Sequence, residues 1–241
     1  MSALVALVRR ELGTYFVSPT AYIILTAMLL VSGLTFMRYL ADFASARVPV
    51  DFGPTLGTIV FVVVASSALV TMRLVAEEKS RGTLEIALTA PVTEMQFVLS
   101  KYIAALALLG WQLLLTGGLV LVVARHGDVD VGAVLCGYAG VLLVGAVTYA
   151  VGLFISSLCT SQVTAGMVTF TLSLLLLAAN VLVENRAGGG LQPVLEAVSL
   201  MENFSDFLKG VVDTGRLVTL LSICVFFVFL SARVLESRRW R

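Results

Sequence analysis

The chain has 241 residues, 59% of them hydrophobic and 13% charged, with a mean hydropathy of +1.01 and a formal net charge of +1. A soluble domain carries about 25% charged residues and must present much of its surface to water, so this composition excludes a soluble globule and leaves lipid as the solvent. The near-neutral balance gives no footprint for nucleic acid, and Arg238, Arg239 and Arg241 read as a membrane-edge anchor.

Residues 2–18 come first. At 100° per residue, Leu4, Val5, Val8, Leu12, Tyr15 and Phe16 share one stripe with Ser2, Arg9, Arg10 and Gly13 opposite, while Leu7 and Glu11 break the pattern. This predicts a helix lying in the membrane interface and ending at Ser18-Pro19. Its charges follow its apolar residues, the reverse of a cleaved secretory signal, so the N-terminus is expected to be retained.

Crossing the hydrocarbon core takes about 20 mostly apolar residues. Six stretches qualify: about 20–40, 55–73, 97–124, 133–157, 163–183 and 216–235. Their apolar runs are continuous rather than alternating, which implies helices and not barrel strands. The expected fold is an all-α integral membrane protein with six transmembrane helices, the whole of 1–241 forming one transmembrane domain.

Between the second and third spans, Arg73–Thr93 holds the densest charge in the chain. Leu84, Ala87 and Leu88 sit at i, i+3, i+4, so a short helix with one apolar and one charged face is expected; Pro91 ends it and Thr93 caps the next long helix. The fourth span is rich in small residues, with Gly145, Tyr149 and Gly152 near one face, which favours close packing within the monomer over a dimer seam, although the two are compatible. Between the last two spans, residues 184–215 are too polar to cross, yet Leu191, Val194, Leu195, Val198, Met201, Phe204, Leu208 and Val211 keep mostly helical spacing. Short amphipathic helices dipping into the outer leaflet and a loosely packed external cap both fit them.

Ten Lys/Arg (Arg9, Arg10, Arg73, Lys79, Arg81, Lys101, Arg233, Arg238, Arg239 and Arg241) fall on one side and six on the other, where nine carboxylates dilute them. The richer side is therefore expected to be the cytoplasm, with both termini inside.

The chemistry that is missing narrows the function. His126 is the single histidine, and Cys136, Cys159 and Cys224 lie far apart as small packing residues, so no metal site is expected. The aspartates fall in external segments, leaving no intramembrane carboxylate pair, and neither H-E-x-x-H nor G-x-S-x-G occurs, so no catalytic residue is assigned. Gln112 and Asn180, the polar residues nearest a span's interior, are read as partners in helix–helix hydrogen bonds, and no substrate-binding residue stands out. None of Lys79, Lys101 and Lys209 follows a glycine, so a phosphate-binding loop is absent; if ATP drives this protein, another chain binds it.

Two segments resemble a known family. One is Arg10-Glu11-Leu12-x-x-Tyr15-Phe16-x-Ser18-Pro19-x-Ala21-Tyr22; the other is Met72-Arg73 through Ala76-Glu77-Glu78-Lys79-x-x-Gly82-Thr83-x-Glu85-x-x-Leu88-Thr89-x-Pro91-Val92-Thr93, followed by Lys101. Together they resemble type-2 ABC transporter permeases (ABC-2, or type V exporters), and within these the gliding-motility-type permease subunits. The resemblance implies that residues 77–92 form a coupling helix docked in a groove of a separate ATPase, which alone binds ATP, with Glu77, Glu78, Lys79, Arg81, Gly82, Thr83, Glu85, Leu88 and Pro91 as the coupling residues. It makes 2–18 the connecting helix, with Arg9, Arg10, Glu11, Tyr15 and Phe16, and 188–214 the external re-entrant segment. It implies a second permease chain, in a homodimer or heterodimer, a location in the bacterial inner membrane, and for gliding-type systems a further membrane subunit with a large extracytoplasmic domain. The activity implied is export; the alternative is a subunit that relays force to an envelope or motility machine without moving substrate. The residues agree with coupling: positive-inside placement explains Arg73, Lys79, Arg81 and Lys101 but not Glu77, Glu78 and Glu85 beside them.

Overall fold

A computed structural model describes residues 3–46, 52–83, 92–124, 130–179 and 199–238, and every regular element among them is helical. In chain order these are α1 (Ala3–Val17), α2 (Pro19–Ala46), α3 (Gly53–Thr71), α4 (Ala76–Ser80), α5 (Glu94–Ala124), α6 (Val131–Leu158), α7 (Gln162–Leu177), α8 (Leu200–Leu208) and α9 (Thr214–Arg238). Five apolar stretches among the described residues are long enough to cross a membrane: Pro19–Ala41, Gly53–Ser80, Glu94–Val122, Val131–Leu158 and Thr214–Ser237. The protein is a multi-pass membrane protein. The remaining expected span, about 163–183, is represented by the shorter α7, and its far end runs into residues 180–198, outside the described residues.

Local sequence sets the helix starts. Pro19 opens α2 directly after Ser18, where its missing N–H costs nothing. The Asp130 carboxylate accepts from the amides of Gly132 (2.9 Å) and Ala133 (3.2 Å) at the start of α6. Thr93 and Gln96 form a reciprocal capping box ahead of α5, each side chain accepting the other's backbone N–H at 3.2 Å.

α6 is the centre of the bundle, packed against α3, α5, α7, α8 and α9. Its glycines make that possible. A Cβ at Gly137, Gly140, Gly145 or Gly152 would lie 2.4–2.7 Å from Leu56, Phe207, Leu109 or Thr71 respectively. Lipid offers no hydrophobic drive for helix association, so such close approach supplies the dispersion contacts that hold the helices together. The small-residue face is thus used within the monomer, as its pattern predicts.

Two expectations change, and a third segment, left open between two readings, gains a packing partner. In α1 the half-buried face is Leu4, Leu7, Val8, Glu11, Leu12 and Tyr15, while Val5 and Phe16 are exposed. The helix is rotated so that Leu7 and Glu11, the breaks in the apolar stripe, point inward, because Glu11 has a buried cation to meet. Gln112 is buried in α5, but neither atom of its amide has a hydrogen-bond partner among the described residues, where the expected interhelical hydrogen bond is therefore not made. In the stretch expected to be external, α8 buries Leu200, Asn203, Phe204 and Phe207, with the two phenylalanines closing on Gly140 of α6. Its apolar face is docked on protein and not turned to lipid. The part of that stretch before Ser199 lies outside the described residues.

Candidate functional site

At one end of the bundle, α1, α4 and the start of α5 enclose a crevice of about 500 Å³. Arg10, Glu11, Arg73, Glu77, Glu78, Arg81 and Lys101 line it, with Thr14, Thr83 and Phe97 among them.

The segment after α3 supplies most of this charge and is tied down on two sides. At the α4 start, Ser156 Oγ accepts from the amides of Val75 (3.1 Å) and Ala76 (3.0 Å), two donors that a helix N-terminus leaves without intrahelical partners. Lys79 Nζ donates to the carbonyl oxygens of Ser157 and, at 3.4 Å, Cys159, where α6 ends. A cation there satisfies open carbonyls and sits at the negative end of the helix dipole. Lys79, expected among the residues offered to a partner, is thus turned inward onto α6.

α4 stops after Ser80 in a Schellman turn: Thr83 N–H donates to Glu78 O (3.0 Å) and Gly82 N–H to Lys79 O (3.2 Å). Gly82 has φ +68°, which explains the glycine, and none of the described residues lies within 4 Å of its missing Cβ. Arg81, 70% exposed, pairs with Glu77 at 2.7 Å and stands at the outer rim.

Lys101 joins the pieces. It lies seven residues into α5, is 2% exposed, and its ammonium sits 4.9 Å from the Phe97 ring centroid. It pairs with Glu78 at 2.7 Å and Glu11 at 3.3 Å. Arg10 closes the network from the solvent side, 2.9 Å from Glu11 and 3.7 Å from Glu78; its hydrogen bond to Glu11 holds its guanidinium pKa above the ordinary value, against a smaller desolvation cost. Burial, reinforced by the charge of Glu11, raises the Tyr15 hydroxyl pKa while Arg73 opposes the shift. Arg73 donates to Ser18 Oγ at 2.8 Å, pinning the α1–α2 junction to the end of α3. Phe16 meets Trp111 edge-on with centroids 6.1 Å apart, and Arg9 is exposed.

The two segments singled out in the sequence therefore meet: Arg10 and Glu11 face Glu77, Glu78, Arg81 and Thr83 across one crevice, whose lining does not include Tyr15. Glu85, Leu88 and Pro91 lie outside the described residues. Lys101, Ser156 and Ser157 were not assigned to the site from sequence. A lone lysine near the end of an apolar helix, in a chain with carboxylates in two flanking segments, is the signal that points to Lys101; nothing in the pattern marks the serines. A second concavity, an apolar groove of about 1000 Å³, lies between α5, α6 and α9 and is walled by Leu99, Leu106, Leu143, Val225 and Phe229. Its Tyr102 hydroxyl is engaged by Ala146 O at 3.0 Å.

Residues 43–184 match the sequence profile of the family described as ABC-2 family transporter protein. No curated protein matches the chain.

Proposed function

From the premise that the chain belongs to the ABC-2 transporter family, as its profile match over more than half its length shows, we propose that it is the permease of an ATP-driven exporter whose ATPase docks on the α4 end. The observation that carries this reading is the charge network on Lys101, which draws α1, α4 and α5 together at one end of the bundle. An ATPase pressing on the rim carried by Glu77, Arg81 and Thr83 meets a segment bonded to α6 through Ser156 and Lys79 and to α5 through Glu78. Its displacement is therefore passed into the helices and not absorbed by a loose loop. The α4 end faces the cytoplasm, the membrane is the bacterial inner membrane, residues 77–92 are the coupling element and 2–18 the connecting helix. A second permease chain completes the path, and the likeness to gliding-type subunits makes a further envelope-facing subunit part of the complex.

Affinity purification of the full chain from its native membrane tests this. A P-loop ATPase is expected to be retained, and Arg81→Glu or Gly82→Pro to weaken its retention while leaving membrane insertion at wild-type level. A wild-type chain that retains no ATPase refutes the reading. Uptake of a defined substrate into inverted vesicles distinguishes an exporter from a subunit that relays force to an envelope machine.

A further inference from the structure

α1 packs along α5, whereas α4 packs on α6 and α7. Among the described residues, two cations tie α1 and α4 by charge. Arg10 is one, 55% exposed and 3.7 Å from Glu78, and at that exposure an ion pair is worth little. Lys101 is the other, almost fully buried and within 3.3 Å of both Glu11 and Glu78. A buried charge that loses its partner is strongly destabilising, so each carboxylate is held to Lys101 far more firmly than a surface pair would be.

We propose that Lys101 is the joint through which displacement of α4 reaches α1, a positioning residue for coupling; the inference rests on the coupling role given above. One ammonium serves two carboxylates carried by segments that α2 and α3 separate in sequence. When α4 shifts, Glu78 draws the ammonium with it or surrenders it to Glu11, and in either case α1 is rebalanced. Lysine suits such a joint because its charge is compact, carried on a flexible four-carbon stem, and able to follow either partner, where an arginine fork would fix one geometry. The Phe97 ring beneath the ammonium keeps the position tolerable during the exchange.

The first test uses the full chain in lipid nanodiscs. Glu11→Gln and Glu78→Gln are made singly and together, with Lys101 and again with Lys101→Met, which keeps the stem and removes the charge. With Lys101 present, the Tm change of the double variant is expected to differ from the sum of the singles by at least about 2 °C, the size that pairwise coupling gives in a chain of this length. With Met at 101 the changes add. Additivity in both backgrounds overturns the proposal.

The second test uses the complex with its retained ATPase, with Cys136, Cys159 and Cys224 replaced by alanine. Maleimide labelling is followed at Gly13→Cys on α1 and Ser80→Cys on α4, with and without ATP and vanadate. Lys101→Met is expected to leave the response at position 80 and abolish it at position 13. An undiminished response at position 13 overturns the proposal. Failure of the wild-type chain to retain an ATPase overturns the coupling reading instead, and the thermal cycle then decides whether Lys101 joins the two segments.

Discussion

Replacing Gly152 by alanine tests the packing at the centre of the bundle. The new Cβ would lie 2.4 Å from Thr71 Oγ1 and 2.7 Å from both Thr71 Cβ and Cγ2. The threonine Cβ is fixed to the backbone, so no rotamer change clears it; α3 and α6 must separate. Overpacking of this kind costs about 1–3 kcal/mol, against which the better helix propensity of alanine returns up to about 1 kcal/mol. Gly117→Ala in α5 is the control, because none of the described residues lies within 4 Å of its missing Cβ and it collects the propensity gain alone. The contrast between the two variants is therefore the overpacking cost. At about 2 kcal/mol it corresponds to a Tm difference of roughly 4–8 °C for a chain of this size. Gly145→Ala should fall between them, since its 2.4 Å neighbour is Cδ2 of Leu109, the tip of a side chain that can rotate. Thermal unfolding of the three variants in one detergent is the assay. If Gly152→Ala melts together with Gly117→Ala, α3 and α6 do not approach this closely and the explanation of the glycine face fails.

Ser156→Ala strands the amides of Val75 and Ala76 and should cost roughly 1–3 kcal/mol, read as faster hydrogen exchange at those two amides; unchanged protection there refutes the tie. Gly82→Ala forces a side chain into a left-handed conformation at a cost of about 1–2 kcal/mol, so trypsin should cut after Arg81 faster than in the wild type; an unaltered cleavage rate argues against the Schellman turn. Burial holds the Tyr15 hydroxyl pKa above its ordinary value of 10.0, so the folded chain keeps a proton that the unfolded chain releases. That contribution to stability is complete below the ordinary value and declines as the pH rises beyond it. Tyr15→Phe should make the alkaline loss of stability shallower, and an identical pH profile would contradict the burial of that hydroxyl.

Hydropathy made five spans legible, because a helix that crosses lipid needs about 20 mostly apolar residues whatever its neighbours are. Caps were legible for the same local reason: Thr93 and Pro19 act within one turn of themselves. Rotation about a helix axis was not. The stripe in α1 placed Glu11 at its margin, and only the buried ammonium of Lys101, ninety residues later in the chain, turns it inward. The contacts of Lys79 were hidden in the same way. Its place in a charged loop suggests exposure, but the carbonyls that capture it end a helix that begins at Val131. The two segments that line the candidate site stood out because they carry recognisable local motifs; their wiring depends on contacts across α2 and α3 that no periodicity records.

The enclosure of α6 also bears on how the chain reaches its final state. The face at Gly140 is covered by Phe204 and Phe207 of α8, and α9 packs along the same helix. Both arrive after α6 in the order of synthesis. Until they do, the face of α6 around Gly140 is uncovered, while Gly137, Gly145 and Gly152 are already closed by α3 and α5. Chains truncated before Leu200 should therefore be inserted yet unfinished, their central helix exposed to degradation, because the segment that seals the middle of the bundle is among the last to be made.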